Sequence, residues 1–219
     1  TNPNASSDAD VASKVLWEFP SAATSGYTTK LGLSYSKPAI VKTAGSGWVV
    51  LVASGYNPSG DGKGRVFMLN AMTGSVLREF VTPVVSDIGQ VSAFITKVGA
   101  DYIASAAYAG DLAGNVWRFD LASGAVAKVA TLTDSSGNPQ PITAAPELTT
   151  VKNMPVVLIG TGRLLGESDY SVSQVQSFYA ITDTGTPVAN VRTDLDVRTL
   201  VLSGGIRTLA ASTPDWLTR

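Results

Sequence analysis

A unit of strand, turn and strand occurs twice in this chain, fifty positions apart, and that repeat limits the available folds more than any other feature. Gly64, Val66, Phe67, Leu69, Asn70, Thr73, Gly74, Val76 and Arg78 map without a gap onto Gly114, Val116, Trp117, Phe119, Asp120, Ser123, Gly124, Val126 and Lys128. Across residues 115–120 (NVWRFD), Trp117 and Phe119 alternate with Val116 and Arg118, the two-residue period of a strand. A turn follows, because Asp120 can bond the backbone two residues on, Ser123 is a turn former and Gly124 tolerates positive φ. Repeats of ~40 to 50 residues built from short strands, with an aromatic at one fixed strand position, are the sequence form of β-propeller blades.

The expected class is all-β: a propeller of about three four-stranded antiparallel blades over residues 36–82, 92–132 and 142–201, inside a domain at 14–219 that follows a polar linker at 1–13. The outer strand of the third blade is expected within 190–201, and beyond Ser203 the pattern fades. Residues 14–19 (KVLWEF) match residues 75–80 (SVLREF) and read as the outer strand of a further blade whose inner strands are not upstream. Closed propellers use ~4 to 8 blades. The expectation is therefore an open arc whose first and third blade faces are exposed or covered by another polypeptide, either the remainder of the propeller or a partner. Residues 163–174 lengthen one loop of the third blade by about ten residues, and loops on rigid scaffolds carry function.

Charge and composition exclude several classes. Sixteen Lys and Arg stand against seventeen Asp and Glu with no basic block, so there is no electrostatic footprint for nucleic acid or an anionic membrane. The chain has no Cys and no His, which removes disulfides, thiolate metal sites, a His general base and any Ser-His-Asp triad. The apolar runs at 48–53 and 156–159 are far shorter than the ~20 residues of a membrane-spanning helix.

Few stretches carry chemistry. Residues 57–64 (NPSGDGKG) place oxygens at Asn57, Ser59 and Asp61 as in the first half of a calcium loop, yet Met68 stands where such a loop needs a bidentate Glu. The same residues are ordinary turn formers. Asp111, Gly114 and Asn115 read as a structural turn, as do Asp120 and Gly124. Residues 160–163 (GTGR) imitate half a phosphate loop without its Lys-Ser/Thr. Asp169 and Asp183 have no partner nearby in sequence for paired-carboxylate work. Trp48, Phe67, Trp117 and Tyr179, at strand positions, are expected between blades.

Residues 108–121 (YAGDLAGNVWRFDL) closely resemble a segment of the PilC/PilY family of type IV pilus tip-associated proteins. Residues 142–148 (ITAAPEL), 159–165 (IGTGRLL), 167–169 (ESD) and 176–181 (QSFYAI) resemble the family's next segments in the same order. The resemblance implies part of a modified seven-bladed propeller in an exported, non-catalytic binding and assembly protein of a Gram-negative bacterium. It would sit at the pilus tip, cell surface, outer membrane or periplasm, contacting pilins or minor pilins and host or surface ligands, and supporting pilus biogenesis, adhesion and twitching motility. Several family members carry an Asp-rich calcium loop before the segment matching Tyr108, whereas residues 96–107 (TKVGADYIASAA) offer only Asp101, so no calcium or other cofactor is carried over. The turn at Asp120 also resembles repeats of quinoprotein dehydrogenases, and a carbohydrate-binding propeller is a further alternative.

Calorimetric titration of the chain with calcium is expected to give no binding tighter than ~10⁻⁴ M, the range of extracellular calcium modules. A tighter site would contradict the reading of residues 57–64 as a turn.

Overall fold

The computed structural model describes residues 7–96, 101–198 and 200–209. Strands β1 (Ala39–Thr43), β2 (Gly47–Ala53), β3 (Lys63–Asn70) and β4 (Val76–Val85) pair antiparallel in chain order as blade 1. Strands β5 (Ile88–Ile95), β6 (Ala104–Asp111), β7 (Asn115–Asp120) and β8 (Val126–Thr131) repeat that order as blade 2. Blade 3 has β9 (Glu147–Val151), β10 (Met154–Gly160) and β11 (Phe178–Thr182), while β12 (Leu200–Ser203) and β13 (Ile206–Leu209) form a separate hairpin. The blades stack face to face, with the first strands of successive blades as neighbours.

Strand alternation decides which side chain enters which seam. In β3, Val66 and Met68 face forward to blade 2, and Phe67 and Leu69 face backward. In β7, Trp117 and Phe119 face backward into the same seam with blade 1, and Val116 faces forward to blade 3. In β11, Tyr179 and Ile181 face backward to blade 2. The aromatic of the repeat thus points backward every time, which is why one strand position keeps it. Phe80 and Phe119 meet edge to face at 5.9 Å across the first seam, a geometry that aromatic quadrupoles favour.

Among the described residues no blade stands behind blade 1, and residues 15–33 take that place. Trp17, Phe19, Tyr27 and Leu31 pack on Val50, Phe67 and Leu69. The ring of Phe67 lies 5.2 Å from Phe19 and 5.5 Å from Tyr27, and the indole of Trp17 donates to the Ala71 carbonyl at 3.0 Å. Gly74 serves this strap twice: its φ of +69° closes the β3–β4 turn, and a Cβ there would stand 2.6 Å from the Trp17 ring.

Several expectations change here. Residues 14–19 form no strand; without inner strands to pair with, Trp17 and Phe19 gain more by covering the back of blade 1, so that face is closed by the chain itself. The stretch at 1–13 is not wholly linker, since Asp8–Ala12 is a short helix; residues 1–6 lie outside the described residues. The outer strand expected in 190–201 is replaced by a turn in which Asp194 accepts from the Asn190 amide and Asn190 from the Arg192 amide. Such local side-chain bonds compete with a ladder. Residues 142–146 form no strand, and the tail beyond Ser203 turns through Gly204 and Gly205 into β13. Within the blade expected at 92–132, residues 97–100 lie outside the described residues. Trp48 is 58% exposed, on the backward side of β2 beyond the reach of the strap, so it packs in no seam.

Phe67→Ala and Trp117→Ala each empty a fully packed seam position and are expected to lower stability by ~3 to 5 kcal/mol in chemical denaturation. An unchanged melting temperature for Trp117→Ala would contradict the seam assignment.

Candidate functional site

The loop that imitates half a calcium site is the seat of the strap. Ser59 Oγ and the Gly60 amide both donate to the Thr29 carbonyl, and Leu33 bridges Tyr56. Asp61 receives a two-pronged bond from the Arg65 guanidinium at 2.7 and 2.8 Å, and that cation holds its carboxyl well below the usual carboxylate range. Arg65 also reaches Glu79 at 2.6 Å, and Glu79 in turn pairs with Lys30 of the strap at 2.8 Å. Asn57 has φ of +54° and spends its amide on Asp87. A positive side chain thus occupies the Asp61 carboxylate, the Ser59 hydroxyl holds the Thr29 carbonyl, and Asn57 meets Asp87 through its backbone N–H.

Asp111 is fully buried at the end of β6 and joins blade 2 to the linkers that enter and leave it. Its carboxyl group accepts from Ser86 Oγ at 2.6 Å, the Asn115 amide at 2.8 Å, Asn115 Nδ2 and Trp117 Nε1 at 2.8 Å, while its carbonyl accepts from the Ile142 amide at 3.0 Å. Four donors meet two oxygens, which satisfies the group without a cation. Gly114 has φ of +78°, and a Cβ there would meet the Leu132 and Gln140 carbonyls at 2.6 and 2.9 Å. Asn115 Oδ1 accepts from Thr131 Oγ1, which fastens the turn to β8. Asp120 closes the next turn, accepting from the Ser123 amide and hydroxyl and the Ala122 amide; these bonds, the Ser123 amide first, lower its pKa. Gly124 completes it with φ of +85°.

Long-range polar contacts, invisible in sequence, pin the second seam and the insertion. Tyr108 donates to Asp183 at 2.6 Å from inside the seam, and burial, then Asp183, pushes its hydroxyl pKa up. Arg118 pairs with Asp183 and Asp120. Gln140, fully buried, donates to the Val175 carbonyl and Ser177 Oγ and accepts from the Tyr179 hydroxyl at 2.7 Å and from Arg192. In the insertion, Asp169 accepts from the Leu165 and Gly166 amides and from Arg163, and those donors, Leu165 first, lower its pKa. Gln174 reaches Asp134, whose carboxyl is held down at about 2 by that amide together with Asn138 and the Ser136 amide. Gly160 to Arg163 serves as a bend, with Gly162 bonding Pro141 and bridging Ile142.

The insertion is thus rigidly held, yet it presents Leu164, Tyr170, Val172 and Val175 to solvent. Beside it lies an open cleft of about 350 Å³ walled by Leu112, Pro139, Pro141, Val172 and Gln174, with the Arg163–Asp169 pair at its side. Its lining is as polar as it is apolar, with the Arg163–Asp169 pair and Gln174 fixed by hydrogen bonds. Among the described residues, no three of His, Cys, Asp and Glu stand close enough to hold a metal ion, and no helix is long and apolar enough to cross a membrane.

A family model described as the PilY1 beta-propeller domain matches residues 5–132, more than half of the chain. The chain belongs to that family. A type IV pilus biogenesis factor PilY1 homolog of Xylella fastidiosa is 33% identical over 206 residues, covering 91% of this chain and 16% of the relative. PilY1 of Pseudomonas aeruginosa strain PAO1 is 28% identical over 204 residues, covering 79% of this chain and 17% of its own length. The chain therefore spans less than a fifth of these curated relatives. In fold it matches the crystal structure of the Pseudomonas aeruginosa PilY1 C-terminal domain, with a TM-score of 0.69 at 24% identity over 87% of this chain and 48% of that one.

Two predictions follow the polar contacts. Asp111→Ala strands the Ser86, Asn115 and Trp117 donors and is expected to cost ~3 kcal/mol in denaturant unfolding; a loss under ~1 kcal/mol would contradict its role. Asp120, Asp134 and Asp169 have lowered folded pKa values. The stability they add is present above their unfolded pKa of ~4 and is lost as pH falls through the folded values. The melting temperature should fall between pH ~4 and ~2; a flat profile there would contradict these bonds.

Proposed function

We propose that this chain is a non-catalytic binding and assembly segment of an exported type IV pilus biogenesis factor, presented at the pilus or the cell surface. The observation that carries the reading is family membership, supported by curated relatives whose names state pilus biogenesis. The chemistry agrees. The acidic side chains singled out in the sequence are engaged in turns, seams and the strap. Blade stacking supplies a stiff body and the held insertion a contact surface. Adhesion and twitching motility belong to the same proposal, with pilins or minor pilins as the partners in assembly.

The test is a bacterium whose chromosomal gene for the parent protein lacks the codons for residues 15–209. Surface pili counted by electron microscopy and twitching zones on agar should both fall to the level of a null strain, with restoration by the intact gene in trans. Normal piliation and twitching in the deletion strain would overturn the proposal. Purified chain supplied with pyrroloquinoline quinone and calcium is expected to leave a dye acceptor unreduced by alcohols; turnover would favour the dehydrogenase alternative.

A further inference from the structure

Among the described residues, blade 3 ends on its third strand. In blades 1 and 2 the chain turns tightly after the third strand and comes back as β4 and β8. After β11 it is led away instead: Asp183 is held by Tyr108, the Val188 amide donates to the Val129 carbonyl of β8, and Arg192 bonds the Thr133 carbonyl and Gln140. Val188, Val191 and Leu195 then pack in the seam with blade 2.

The edge this leaves has a definite hydrogen-bond phase. The Asp183 amide donates to Pro155 and the Thr161 amide to Ser177, so odd-numbered residues of β11 face β10. The amides and carbonyls of Phe178, Ala180 and Thr182 point outward, with no partner among the described residues. Phe178 is 71% exposed and Ala180 is exposed as well, so this edge reaches solvent.

Edge strands are ordinarily blunted by charge, proline or bulges. The outer strand of blade 1 carries Arg78, Pro83 and register shifts, and that of blade 2 carries Lys128 and a shift. β11, FYAIT, carries none of these, and its ladder with β10 is regular.

We infer that the outer edge of β11 accepts an extended strand donated by another polypeptide, which completes blade 3 by antiparallel β-addition. The donor is a segment of about five residues with apolar side chains at alternate positions, to lie beside Phe178 and Ala180, and with free amides to meet the outward carbonyls. The sister blades supply the geometry, since β4 and β8 occupy this place on β3 and β7. A protein strand suits the site better than a sugar or small ligand because its unmet groups are a row of backbone donors and acceptors. The inference rests on the sheet and is independent of the pilus reading.

The probe is a fluorescein-labelled peptide with the sequence of residues 76–82 (VLREFVT), the strand that fills this place in blade 1, added to the whole chain and followed by anisotropy. Binding is expected, together with slowed amide exchange at Phe178, Ala180 and Thr182 by NMR. Methylating alternate peptide amides should weaken binding at least about tenfold, as loss of edge hydrogen bonds implies. Ala180→Pro removes only an outward N–H, a change edge strands tolerate, and should weaken binding by a similar factor with unchanged thermal unfolding. Ala180→Lys provides the same test by charge if the proline variant misfolds. No binding at millimolar peptide, binding indifferent to methylation and to both variants, or amides already protected in the free chain would each overturn the inference. The last outcome would mean that the chain fills its own edge.

Discussion

Burial of Asp111 is the constraint on which the stack depends. Its carboxyl group joins the linker into blade 2 through Ser86, fixes the β6–β7 turn through Asn115 and orients Trp117 in the first seam. Its carbonyl then holds Ile142, in the connection from β8 to β9. A buried acid needs all its donors at once, so blade 2 cannot shift against the linker that joins it to blade 1 without leaving the carboxyl group unsatisfied. The apolar seams on either side supply most of the stabilisation. The polar knot sets their register.

Around that knot, alternation gives the stack a direction. Phe67, Trp117 and Tyr179 all point backward, and each needs something behind it. Blades 1 and 2 serve Trp117 and Tyr179, and the strap of Trp17, Phe19 and Tyr27 serves Phe67. The Lys30–Glu79–Arg65–Asp61 chain of charges then locks the strap beside the face it covers. Arg65 is buried at the centre of this chain of charges, so losing a partner would leave a buried charge uncompensated, and the charges hold the strap together with the aromatic packing.

The repeat made the strand positions, the seam aromatics and the turns at Asp111 and Asp120 legible, because a two-residue period and turn residues are local properties. Residues 14–19 were misleading for a physical reason: alternating apolar side chains suit a strand or a cover over a sheet face, and only the bare back of Phe67 decides between them. The missing strand of blade 3 was hidden because Asn190 and Asp194 bond one another across a turn that composition does not reveal. In the calcium-like stretch the Asn57 backbone N–H goes to Asp87, the Ser59 hydroxyl to Thr29 and the Asp61 carboxylate to Arg65, partners that local spacing does not reveal. The pairs that hold the insertion and the second seam, Tyr108 with Asp183 and Gln140 with Tyr179, lie far apart in the chain and leave no local signal.

This architecture suits a protein that works by holding parts together: a stiff stack, a held loop with apolar tips and one unfinished sheet. Blades 1, 2 and 3 are expected to unfold as one unit, because the two shared seams and the linkers held by Asp111 couple them. Native-state amide exchange in increasing denaturant tests this most directly. The amides of Met68, Asn115, Ile142 and Ile159 should exchange through a single global opening with the same free energy and the same denaturant slope. If Ile159 and its neighbours in β10 opened at clearly lower free energy and smaller slope while Asn115 stayed protected, blade 3 would be an independent unit and this coupling would be contradicted.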